Sequence, residues 1–437
     1  MRPIAPEPFA GLPTALDCGG DARPDLALLD EQTGTIVLLV NQDAAGGASP
    51  TPTPSVASSP SPTPTDIPGE DCFNCIDDEG DSQIDRSDPE CPARAMAGVA
   101  GLGDPKGRGK AVGACAKTAA KGGAKYTAQI LKHLDKCAHA VFLCLQQKAG
   151  EPDCVTKATT KCAKELGKIT AKDEPKLAST IAKACNAAKV DALDLRAAAG
   201  LGYDAEEAAC APFGVPSIDD AADVAACLVG HHACRAAQIF AMLVPRAFEI
   251  LTLGGRNPAA EFPCLPAGSD GGGLGLADPK GRGKAAVGCE KTLEKEGAKF
   301  VKNWLKTVQK CSDKIYACVQ TKADVGACVA KTRKTCTKLA TKLRDPAKGL
   351  TAKLAAKVVK SCGSPKLAAA DLLDALGLGF GAHASECAAL GVAPLDSAPQ
   401  VAACIARQHA CRADQLLERA FPRLREIVGA GGLDLQP

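Results

Sequence analysis

Apolar side chains between residues 126 and 144 recur at steps of 4, 4, 3, 4 and 3: Tyr126, Ile130, Leu134, Cys137, Val141 and Cys144. This is the period of an α-helix with one buried stripe. Phe300, Trp304, Val308, Cys311, Ile315 and Cys318 repeat the same steps. A turn around Gly150 and Pro152 leads into a second helical segment that carries Cys154 and Cys162, and Cys328 and Cys336 are its counterparts. Further helices are expected near 174–188, 191–200 and 218–252, with equivalents displaced by 177 residues. Pro245 and Pro422 occupy equivalent places and should kink or divide the last helix of each copy.

The cysteines make the duplication explicit. From Cys115 to Cys234 they step by 22, 7, 10, 8, 23, 25, 17 and 7 residues, and from Cys289 to Cys411 by 22, 7, 10, 8, 26, 25, 17 and 7. In an antiparallel helical hairpin the cysteines nearest the turn face each other. Nested bridges Cys144–Cys154 and Cys137–Cys162 follow, with Cys318–Cys328 and Cys311–Cys336 in the second copy. Counting Cys91 and Cys264, each unit has ten cysteines, an even number. If Cys91 closes a loop with Cys72 instead, one unit keeps an odd thiol, and spacing leaves both pairings open.

The amino-terminal part reads differently. Ala27–Leu29 and Thr35–Val40 are β-rich runs separated by turn residues, a hairpin-sized piece. Residues 46–69 alternate Pro, Ser and Thr and form an extended spacer. The expected organisation is a blade-like fragment (1–45), the spacer (46–69), an acidic loop (70–92), a Cys-rich helical repeat (93–255), a Gly/Pro-rich linker (256–275) and a second repeat (276–432). The fold class is mainly α: two tandem disulfide-stapled helical repeats preceded by a β-hairpin remnant.

Composition narrows the compartment. Aromatic residues are 3% of the chain, so Ala, Leu, Val, Ile and cystine must build the core, and the 23 cysteines require an oxidising environment to persist as bridges. An extracellular or cell-surface protein is expected. Residues 1–40 show no signal-peptide pattern and no stretch suits a transmembrane helix, so the natural start is expected upstream of Met1. Residues 1–99 hold 4 Lys and Arg against 17 Asp and Glu, whereas residues 100–437 hold 48 against 33. An acidic front suits a cation and a basic body suits an anion.

Candidate chemistry follows that division. Asp77, Glu79, Asp81 and Asp85 offer carboxylates at positions 1, 3, 5 and 9 of one short loop with Gly80 at its turn, a pattern that suits calcium. Asp17, Asp21 and Asp25 repeat the 1, 5, 9 spacing. In the body, Lys106, Arg108 and Lys110, followed by Lys117, Lys121 and Lys125, form a basic cluster that recurs as Lys280, Arg282 and Lys284, followed by Lys291, Lys295 and Lys299. The DPKGRGK runs at 104–110 and 278–284 lack the Ser or Thr of a phosphate-binding P-loop and read as helix-initiating turns. His232 and His409 lack a ligand set and read as packed or surface residues. No nucleophile elbow, HExxH helix or Ser/His/Asp pattern is present in the sequence, so no enzymatic activity is expected.

Two resemblances add to this. The segment from Cys72 to Cys91 resembles the D-D-D-G-D calcium or metal loops of secreted bacterial proteins, and Asp17-Cys-Gly-Gly-Asp-Ala-Arg-Pro-Asp-Leu26 with its following hairpin resembles an FG-GAP or VCBS repeat of integrin-like β-propellers. The second resemblance implies an extracellular, adhesive context. The expected function is therefore a secreted, non-enzymatic structural or adhesive protein with calcium loops. Two alternatives stand beside it: a module that binds a polyanion, such as an anionic polysaccharide or lipid headgroup, through the duplicated basic clusters, and a helical carrier of a small apolar ligand. An extracellular protein is the other expected partner. Nucleic acid is disfavoured because aromatic stacking positions are scarce.

Overall fold

Asp104 starts the first helix: its carboxylate accepts the backbone N–H groups of Gly107 and Arg108 at 2.9 and 2.8 Å, and Asp278 repeats this with Gly281 and Arg282. The DPKGRGK runs are thus helix-initiating turns, in which an aspartate satisfies N–H groups that the helix leaves orphaned. The computed structural model describes residues 100–433 and, nearer the amino terminus, the backbone of two strands. Those strands, Leu26–Asp30 and Thr35–Leu39, pair antiparallel with Leu28 opposite Val37. The rest of the blade-like fragment, the 46–69 spacer and the 70–92 acidic loop lie outside the described residues.

Helices of seven or more residues are labelled here. The first copy has α1 (Arg108–Gln147), α2 (Pro152–Lys168), α3 (Glu174–Ala184), α4 (Ala221–Leu243) and α5 (Ala247–Leu253). The second has α6 (Arg282–Thr321), α7 (Val325–Arg344), α8 (Leu350–Cys362), α9 (Ala398–Ala420) and α10 (Leu424–Ala430). Pro245 and Pro422 fall in the breaks before α5 and α10, as the sequence predicts, and α4 and α5 meet at 101°. Among the described residues, no single helix is long and apolar enough to cross a membrane. The one unequal cysteine step has a structural origin. In the first copy a π-helical turn, Ile169–Asp173, carries α2 directly into α3, whereas the second copy interrupts the helix at Asp345 with a loop.

Every described cysteine is disulfide-bonded. The four hairpin bridges form as expected: Cys137–Cys162, Cys144–Cys154, Cys311–Cys336 and Cys318–Cys328. Cys115–Cys185 and Cys289–Cys362 tie the start of each 40-residue helix to the end of α3 and of α8. Cys210–Cys227 and Cys387–Cys404 anchor α4 and α9. Cys264, which spacing groups with the second copy, instead bonds Cys234 in α4 of the first. Residues 256–275 are correspondingly packed as well as connecting: Phe262 and Leu265 are buried, and Ser269 N–H donates to Pro245 O at 2.8 Å.

The copies contact each other reciprocally. The long helices α1 and α6 pack together, and α1 is buried on a second face made of Ala120, Thr127, Leu131, Ala138, Phe142 and Leu145 besides its apolar stripe. Arg246 reaches across to Leu376 O at 3.1 Å, and Arg423 reaches back to Ala199 O at 2.7 Å. Gln146 Nε2 donates to Leu376 O and Gln320 Nε2 to Ala199 O, both at 2.7 Å. Residue i meeting j while the equivalent of j meets the equivalent of i is the signature of an isologous dimer, here made within one chain. Both copies belong to a single compact unit.

Candidate functional site: a lysine-rimmed cleft

The two basic clusters divide once they are placed on the fold. Arg108 donates through Nε to Asp194 Oδ2 at 3.0 Å and Arg282 donates through Nε to Asp371 Oδ1 at 3.0 Å, and both aspartates are buried. These arginines fasten the start of each long helix to a neighbouring short helix, so their charge is matched internally. Lys106, Lys110, Lys280 and Lys284 are exposed around them.

Farther along α1, exposed Lys117, Lys121 and Lys125 follow one another at steps of four and share a face. Opposite them the π-helical turn and the start of α3 present Lys172 and Lys176. The five ammonium groups surround a cleft of about 440 Å³, within the range of small-ligand sites. Buried Tyr126 and Leu177 supply apolar lining. Cys115–Cys185 brings the two walls together, and Gly122 permits the approach, because a Cβ there would lie 2.9 Å from Leu177 Cδ1.

Asp313 acts electrostatically on Lys117 and Lys121 at one end of the cleft, whereas Glu174 and Asp173 are engaged elsewhere. Glu174 Oε1 accepts the Tyr126 hydroxyl at 3.2 Å. Asp173, also in the lining, meets His133 Nε2 at 3.1 Å, while His133 Nδ1 meets Glu165 Oε2 at 2.9 Å. Burial opposes ionisation of Glu165, yet hydrogen bonds from Lys168, His133 and Lys136 outweigh it and hold its carboxyl down at about 2. Burial raises the Tyr126 phenol well beyond its ordinary range, with the Glu174 carboxylate adding to the effect, so the hydroxyl stays protonated and donates. Among the described residues, none of the five cleft lysines forms an ion pair with a carboxylate.

The second copy differs at the equivalent place. Glu296 stands where the first has Gly122, and its carboxylate accepts Lys299 Nζ at 3.1 Å, so the counterpart of Lys125 is neutralised locally. Sequence reading found Lys117, Lys121 and Lys125 but missed Lys172, Lys176, Gly122 and Leu177. The Gly122/Glu296 difference, between helices that keep Lys117, Lys121 and Lys125 in register with Lys291, Lys295 and Lys299, was the available signal.

Other expected site residues are placed as follows. Asp17, Asp21, Asp25, Asp77, Glu79, Asp81 and Asp85, the calcium candidates, lie outside the described residues. His232 and His409 are packed: a side chain at Gly123 would collide with the His232 ring, and Gly297 holds the equivalent position beside His409. Burial lowers His232 to about 4 and His409 to about 3. Cys210, Cys227 and His231 lie close together, but both sulfurs are spent in one bridge, so no thiolate is available to a metal. No family model matches the sequence, and no curated protein or solved structure matches it.

Proposed function

We propose that the chain is a non-enzymatic extracellular binding module whose first helical copy takes up a ligand with an anionic head and an apolar body. The observation that carries this reading is the cleft of about 440 Å³ rimmed by Lys117, Lys121, Lys125, Lys172 and Lys176, with Tyr126 and Leu177 inside it. Five cations against Asp173 in the lining and Asp313 nearby leave an excess of positive charge that an anion would offset, and the apolar lining favours a hydrocarbon portion over a fully hydrated polymer. This joins the polyanion and carrier alternatives in one site. The cystine framework, compatible with an extracellular location, supports the compartment.

Titration of the full chain with laurate tests the proposal. One-to-one binding is expected, weakening as salt rises, and a Lys121→Glu/Lys125→Glu variant should lose about tenfold or more in affinity, roughly 1.4 kcal/mol or more. Both positions are exposed, so the helix should be unaffected. Unchanged laurate affinity in a folded variant would contradict the proposal, as would salt-sensitive retention on heparin without any laurate binding.

A further inference from the structure

Where α1 of the first copy packs against α6 of the second, His139, Glu290 and Glu294 place one potential ligand atom each within 4.8 Å of one another. His139 Nδ1 lies 2.8 Å from Glu290 Oε2. The remaining oxygens are the unusual part. Glu290 is 1% exposed and Glu294 3%, yet no donor reaches Glu290 Oε1 or either oxygen of Glu294, whose polar neighbour is a further carboxyl, Asp135, able to share a hydrogen bond with it only when one of the two is protonated. A buried carboxylate with no partner is costly, and proteins retain one where something else completes it.

The fold itself does not demand these acids. The reciprocal packing of α1 on α6 has a counterpart place, where Ala116 and Ala120 occupy the positions of Glu290 and Glu294, and Asp313 that of His139. Both alanines are buried and the helices meet there in the same way. The copies have thus diverged so that one side of their interface sets two alanines beside a single aspartate and the other gathers carboxylates around a histidine. A cavity of about 200 Å³, lined by Asp135, Lys132, Lys295, Glu294, Phe240 and Leu243, reaches the cluster from the surface and gives a small ion a path inward.

We infer that His139, Glu290 and Glu294 bind one divalent first-row transition-metal ion of the zinc class, with Asp135 beside them, and that the ion pins the two copies together. An imidazole combined with carboxylates suits such an ion, whereas calcium calls for six to eight oxygen ligands. The site is distinct from the lysine-rimmed cleft and does not depend on what that cleft binds.

Zinc and cobalt(II) are the probes, applied to the full chain with its bridges intact. After dialysis against zinc ions, the native protein should hold one more zinc per chain than a Glu290→Ala/Glu294→Ala variant, and zinc should raise the melting temperature of the native protein but not of the variant. This variant installs the residues found at 116 and 120, so it should fold, and without metal it should melt higher than the native chain. Cobalt(II) should give visible d–d absorption that a His139→Ala variant loses. Equal zinc content and equal melting shifts in native and doubly substituted protein would overturn the inference, as would cobalt bands that persist in His139→Ala.

Discussion

Arg246 and Arg423 show how much a single side chain can organise in this molecule. Arg246 is fully buried, forms paired hydrogen bonds to Glu249 at 2.8 Å each, and reaches Leu274 O at 2.7 Å as well as Leu376 O across the copy boundary. Arg423 does the same with Glu426, Ala100 O and Ala199 O. Removing one partner strands a buried charge, so Arg246→Met should cost about 3–5 kcal/mol in urea unfolding, and Arg423→Met a similar amount. The buried histidines supply one part of the pH response. Burial holds His232 at about 4 and His409 at about 3, whereas an unfolded histidine titrates near 6.5. Between those values the unfolded chain takes up protons that the folded one refuses. Their contribution to stability is therefore complete above pH ~6.5 and is lost progressively as pH falls toward 4 and 3. Half-buried Asp313, raised to about 6, and Asp414, raised by burial, act in the opposite sense over the same range, so the histidine share is read as a difference: the loss of urea stability caused by His409→Gln should be smaller at pH 4 than at pH 7.

Among the elements, the bridges divide by the length of chain they close. Cys115–Cys185 spans 70 residues and fixes α3 against the start of α1, whereas Cys144–Cys154 spans 10 at a turn that already holds its helices together. On the chain-entropy scale these are worth about 4 and about 3 kcal/mol. Replacing Cys115 and Cys185 by alanine should therefore lower stability more than replacing Cys144 and Cys154, and should also open the lysine-rimmed cleft and weaken laurate binding. The hairpins were legible in the sequence because the apolar steps and the nearest cysteines are local signals: both α1–α2 and α6–α7 bridges follow from short-range spacing. Less was legible where partners are remote. On the second buried face of α1, Ala120, Thr127 and Ala138 stand between Leu131, Phe142 and Leu145 and carry little hydrophobic signal, so a helix packed on two sides reads as one with a single stripe. Cys264 lies 25 residues before Cys289 and spacing assigns it to the second copy, although its partner is Cys234. The cleft needed Lys172 and Lys176, and only the Cys115–Cys185 link shows that α3 folds back over Lys117 to Lys125.

For the whole molecule, duplication has produced a single-chain counterpart of a symmetric dimer. The long helices form its centre, arginine and glutamine side chains cross it in both directions, and Cys234–Cys264 fastens the connection between the copies to the first of them. The two halves differ in detail: Gly122 lets Leu177 approach in the lining of the cationic cleft where the second copy has Glu296 paired with Lys299, and Glu290 and Glu294 stand where the first copy has alanines. Such an arrangement should unfold as one body, because separating the copies exposes the α1–α6 face and strands Arg246 and Arg423. Differential scanning calorimetry of the chain with its bridges intact tests this most directly. A single transition of the helical body, with calorimetric and van't Hoff enthalpies in a ratio close to one, is the predicted result. Two resolved transitions, or a ratio close to two, would mean that the copies are independent domains and would contradict the account.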